Sequence, residues 1–281
     1  MRTFLERHPL VVYFALVFAI SWGGLLWTAG GPGGIPVVPD RVEALLPGMI
    51  LSVLAGPSIA GILLTGLVEG RAGLRALGSR LLFWRVGGRW YVIALLTAPI
   101  LMTGLLLALS LSSPSFLPAV ATSADPASVL GFGLAVGVSA GFFEELGWTG
   151  FALPRLRRRY GVAGAGLVLG VLWALWHVLP AVWMSGAVSG ELAMTSYLLD
   201  PFLYLVGFRV LMVWLWDRTG SLPLAMLMHA SLTASARILS PPGLAGPPLM
   251  VFDLAWAAAI GLIVAARHMG PFSSVSVGRS T

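Results

Sequence analysis

The chain has 281 residues, 58% of them hydrophobic and only 10% charged, with a formal net charge of +6. Soluble domains carry about a quarter charged residues, so a soluble domain folded around one buried core is excluded. The absence of cysteine excludes disulfides, thiolate catalysis and cysteine metal sites.

Eight apolar segments follow in chain order, at 9–29, 47–68, 90–112, 129–153, 161–184, 200–216, 220–239 and 249–267. Each can cross ~30 Å of hydrocarbon at ~1.5 Å per residue, the sixth barely. Runs such as VVYFALVFAI do not alternate, so the spanning elements are helices and not barrel strands. The first segment is too long for a typical signal-peptide core, and no small-x-small cleavage site follows it. Between the second and third segments, residues 70–89 space arginines four or five apart among Leu, Phe and Trp. Two readings stay open there: an amphipathic helix on the inner membrane face, or a basic loop.

All seventeen basic residues are arginine. They flank the apolar runs in short loops, which argues against nucleic-acid binding despite the basic balance. If the chain starts inside and crosses eight times, fourteen arginines fall on one side, among them Arg71 to Arg89, Arg155 to Arg159 and Arg218. Only Arg41 and Arg237 fall on the other. The positive-inside rule then makes both termini cytoplasmic. The expectation is an all-α integral membrane protein with one polytopic domain over 1–269, its motif-bearing core at about 129–240. A Ser/Gly-rich tail, 270–281, is expected to be disordered.

Ionisable groups inside spanning segments face the bundle interior, a partner or water. Here they are Glu144 and Glu145 on the fourth segment, His177 on the fifth, Arg209 on the sixth and His229 on the seventh. Asp253 and Arg237, near outer helix ends, read as interfacial. Counted from inner helix ends, Glu144, His229 and Arg209 lie ~15, ~13 and ~12 Å deep, whereas His177 lies ~24 Å deep, several ångströms too far. Gly133, Gly137 and Gly141 are spaced four apart, a face on which a neighbouring helix can pack closely, although glycine is also simply frequent here. Adjacent helical residues point ~100° apart, so Glu144 and Glu145 are expected to face different partners. Trp173 and His177 share a face, as do His229 and Thr233. An arginine at mid-membrane needs an acid. The sequence therefore predicts Arg209 forked onto Glu145, the alternative being that its long stem carries the charge to the inner surface.

EELGWTGFALPRL, then WALWH, then HASLT resemble the three motifs of the CPBP family of intramembrane proteases, which includes the type II CAAX prenyl endopeptidases and the bacteriocin-immunity (Abi) proteins. Those motifs run as EExxxR, aromatic-xxx-His and His-xxx-Asn. The resemblance implies that Glu144 activates the attacking water with help from His177, that His229 and Thr233 hold the oxyanion, and that Glu145 orients the site. Thr149 stands where the family has arginine, and Thr233 where it often has asparagine. The activity implied is hydrolysis of a peptide bond in a membrane-associated peptide or protein at the lipid bilayer. A metal-free mechanism is favoured because no helix carries a His-Glu-x-x-His pair, while Glu144, His177 and His229 remain candidate ligands for zinc or another divalent ion. The other functions compatible with these residues are a non-catalytic scaffold or immunity protein of the same fold, and a proton-coupled carrier. The sequence does not indicate an oligomeric state.

Overall fold

The computed structural model describes residues 2–185 and 191–269; the 270–281 tail lies outside them. Among the described residues every regular element is helical. A short α1 (Arg2–Arg7) leads into α2 (Pro9–Ala29), α3 (Pro39–Leu81), α4 (Gly88–Ser110), a four-residue α5 (Ala119–Thr122) and α6 (Pro126–Gly147). A π-helical turn, Trp148–Ala152, joins α6 to α7 (Leu153–Met184). Then come α8 (Glu191–Thr219), α9 (Leu222–Leu239) and α10 (Pro247–Met269).

The helix ends follow from local chemistry. Proline at the first position of α2 removes one donor that would lack a helical partner there, and Gly30 closes its other end in the left-handed region. Asp125 caps α6 by accepting from the backbone N–H of Ser128 at 3.1 Å, and Ser221 caps α9 by accepting from Leu224 at 3.3 Å.

Among the described residues seven helical stretches are long and apolar enough to cross a membrane, and they make this a multi-pass integral membrane protein. The longest, 126–184, has 59 residues, about 90 Å of helix and far more than one bilayer. It breaks at Gly161, whose φ of 72° and ψ of −172° are not helical, so the chain turns back and the stretch supplies two crossings. That restores the eight expected from the sequence. A matching break at Gly70 (φ 65°, ψ −156°) separates the spanning arm of α3 from residues 71–81. Both breaks occupy backbone conformations that only glycine adopts without strain. Residues 71–81 are therefore helical, as one reading of the arginine spacing held, and 82–87 are not. The span expected at 200–216 is longer than the sequence suggested, because α8 begins at Glu191.

Close helix approach sets the geometry of the interior. A Cβ on Gly141 would lie 2.3 Å from the carbonyl oxygen of Met226, one on Gly137 2.6 Å from that of Ala230, and one on Gly133 2.5 Å from Ile238. The glycine stripe is thus the contact face of α6 with α9. On α7, Gly166 and Gly170 meet α8 in the same way, at Val210 and Val206. Large apolar side chains such as Leu51, Val138 and Leu262 are exposed on the outside of the bundle, where lipid would cover them.

At one end of the bundle arginines tie helices together. Arg155 pairs with Glu69 and stacks on Phe151 with its guanidinium carbon 3.7 Å from the ring centre. Arg157 bonds Asp217 at 2.7 Å. Arg80 donates to the carbonyl of Gly150 at 3.2 Å, in the π turn, where the i to i−4 ladder is interrupted.

Candidate active site

The glycine contact presses α6 against α9 and thereby brings His229 onto the two glutamates. His229 Nδ1 lies 2.7 Å from Glu145 Oε1 and its Nε2 lies 3.8 Å from Glu144 Oε2. This corrects the expectation that adjacent glutamates face different partners. The two nitrogens sit on opposite edges of the imidazole, so one ring inserted between divergent side chains reaches both.

Glu145 is fully buried and its oxygens are occupied. Oε1 accepts from Arg209 NH1 at 2.9 Å and meets His229 Nδ1. Oε2 accepts from the same NH1 at 3.0 Å and from the Thr149 hydroxyl. A carboxylate offers about four lone-pair sites, and all are used. Arg209 does pair with Glu145, and its side chain is 0% exposed, so it does not snorkel. The pairing is not a fork, however, because a single nitrogen serves both oxygens while Nε and NH2 have no hydrogen-bond partner among the described residues. The face of Trp173 compensates, 4.0 Å from the guanidinium carbon, a cation–π contact in a dry setting.

Glu144 is held differently. Its Oε2 accepts from the indole N–H of Trp173 at 3.0 Å and of Trp148 at 3.3 Å, and Oε1 takes no hydrogen bond among the described residues. Trp173 therefore presents its face to Arg209 and its edge to Glu144, and it also packs edge-on against His229. Trp148 was not foreseen; its spacing of four from Glu144 was the available signal.

His177 stands one turn beyond Trp173. Its Nδ1 lies 2.9 Å from the Trp173 carbonyl, so this nitrogen carries the proton and Nε2 is left to accept. The indole one turn before His177 is what reaches Glu144. Glu144, Trp173, His177, His229 and Thr233 all line one cavity of ≈ 370 Å³. Asp200, Tyr204 and the exposed Arg237 line it too, so Arg237 belongs to the cavity as well as to a helix end. Asp253 corrects the interfacial expectation, because it is 0% exposed. Its neighbour is Asp200 on α8, against which α10 packs.

The donor set suits a metal ion poorly. Glu145 is neutralised by Arg209, and among the described residues no three His, Asp or Glu side chains are grouped to share an ion.

A polytopic helical membrane protein with a carboxylate–histidine centre inside the bundle is the class these features define. Residues 126–235 match the family described as type II CAAX prenyl endopeptidase Rce1-like. Over 104 residues the chain is 30% identical to CAAX prenyl protease 2 of Methanococcus maripaludis, a match covering 36% of this chain and 38% of that protein. Through this motif-bearing core the chain is similar to the CPBP/CAAX-type proteases. The match spans well under half the length of either protein.

Proposed function

We propose that the chain is an intramembrane endopeptidase that cleaves a membrane-associated peptide or protein, with Glu144 as the base. The observation that carries this reading is the division of labour between the two carboxylates. Glu145 is saturated by Arg209, His229 and Thr149, while Glu144 keeps one oxygen unbonded beside a cavity. In this reading Glu144 takes a proton from water, and the water oxygen adds to the scissile carbonyl carbon. His177 Nε2 accepts from the same water and fixes its direction. The oxyanion is met by the Thr233 hydroxyl and by His229 Nε2 when that imidazole is protonated on both nitrogens. Glu144 then returns its proton to the leaving amine as the C–N bond breaks. No step calls on a metal.

The test is Glu144→Gln in proteoliposomes, read by mass spectrometry of membrane peptides. A general base contributes typically ~10²–10⁴ in rate, so cleavage should fall by at least about 100-fold while thermal unfolding stays close to that of the unaltered protein. Cleavage retained within about threefold, well below the smallest general-base contribution, would show that Glu144 is not the base, and no cleavage by the unaltered protein would return the chain to the non-catalytic reading.

A further inference from the structure

The cavity has a direction. α9 starts at the arginine-rich end of the bundle, and its lining residues, His229, Thr233 and Arg237, run only away from that end. α8 points the opposite way, and there Asp200 and Tyr204 precede Arg209. On α7 the cavity begins at Trp173 and continues through His177 toward the far end of the helix. Among the described residues nothing that lines it follows Glu144 on α6 or precedes His229 on α9. Its floor, Glu144 and His229, is buried, whereas Arg237 and Gly243 on its rim are exposed. Beneath the floor, Trp148 and Phe151 are completely buried, and the bonds of Arg80, Arg155 and Arg157 close the helix ends.

Every arginine of the 71–89 and 155–159 clusters, with Arg218, lies at the closed end. Basic residues in short loops mark the cytoplasmic side. We propose that the site opens to the non-cytoplasmic face, so that its substrate is a largely apolar peptide segment displayed on or inserted from the outer leaflet. The word substrate rests on the protease reading above; the direction of opening does not.

The chain has no cysteine, so single cysteines report cleanly. Ser240→Cys and Leu244→Cys mark the rim by two independent substitutions, and Arg158→Cys marks the closed end. A charged, membrane-impermeant thiol reagent is applied to right-side-out and to inverted vesicles. Rim cysteines should react in right-side-out vesicles and lose that reaction in inverted ones, with Arg158→Cys behaving in reverse. Rim and reference cysteines reacting from the same side would overturn the proposal. So would rim cysteines reacting only in inverted vesicles, or from neither side. Repeating the labelling in Glu144→Gln separates the two claims, because sidedness should be unchanged there whether or not cleavage is lost.

Discussion

Replacing Arg209 by leucine probes the interior at its most charged point. Arg209 NH1 lies 2.9 and 3.0 Å from the two oxygens of Glu145, and both side chains are 0% exposed. At about 3 Å and an effective dielectric of about 20, the attraction is about 5 kcal/mol. Much of that is offset by desolvation of the two charges, and the share borne by Glu145 remains when Arg209 is deleted. Arg209→Leu leaves Glu145 buried with only His229 and Thr149 as donors, and loss of one member of a buried pair typically destabilises by about 3–5 kcal/mol. The whole fold of a domain is worth about 5–15 kcal/mol, so the variant should unfold much earlier. The assay is denaturant titration in detergent micelles, followed by the fluorescence of the chain's 11 tryptophans. Arg209→Leu combined with Glu145→Gln removes the stranded charge and should recover roughly half of the loss or more. The reasoning fails if Arg209→Leu alone stays within about 0.5 kcal/mol of the unaltered protein, as an uninvolved surface change would, or if the double variant is the sum of the singles.

Gly141→Val forces a side chain against the backbone of α9, where the Met226 carbonyl leaves 2.3 Å. It should destabilise by about 1–3 kcal/mol or more and uncouple His229 from the glutamates, whereas Gly104→Ala, with nothing within 4 Å, should leave the melting temperature unchanged or slightly raised. Trp173→Phe keeps a ring under Arg209 but removes the donor to Glu144; a hydrogen bond to a charged group is worth about 1.5–3 kcal/mol, which chemical unfolding should register. Trp173→Leu should lose about a further 0.5–2 kcal/mol through the cation–π contact, and equal losses in the two variants would show that the ring face contributes nothing.

Much of this interior could be read from residue types. Arg209 had to find an acid because a mid-membrane cation without one is expensive, and Glu145 was within reach. The Gly133–Gly137–Gly141 stripe marked a close helix contact by spacing alone. Other features depend on three-dimensional context. The sharing of His229 by both glutamates requires knowing that an imidazole, not a second carboxylate, sits in the crevice between diverging side chains. The π turn at Trp148–Ala152 inserts a local irregularity that periodicity does not announce. Asp253 looked interfacial because it stands near the outer end of its own segment, and its burial against a neighbouring helix leaves no mark in the local sequence. The one-sided cavity is a property of how helix directions combine, which no single segment encodes.

The bundle is stitched at one end and looser at the other. Arg80, Arg155 and Arg157 join α3, the π turn, α7 and α8 by side-chain bonds, whereas the turn between α9 and α10 is built on Gly243 and Gly246, both at positive φ. Thermal motion should therefore grow with distance from the stitched end, much as reeds bound at the root sway at the tip. Glu144 and His229 sit toward the root. On the proposed protease reading, the protein can then yield around an incoming chain without disturbing the spacing of the side chains that move the proton.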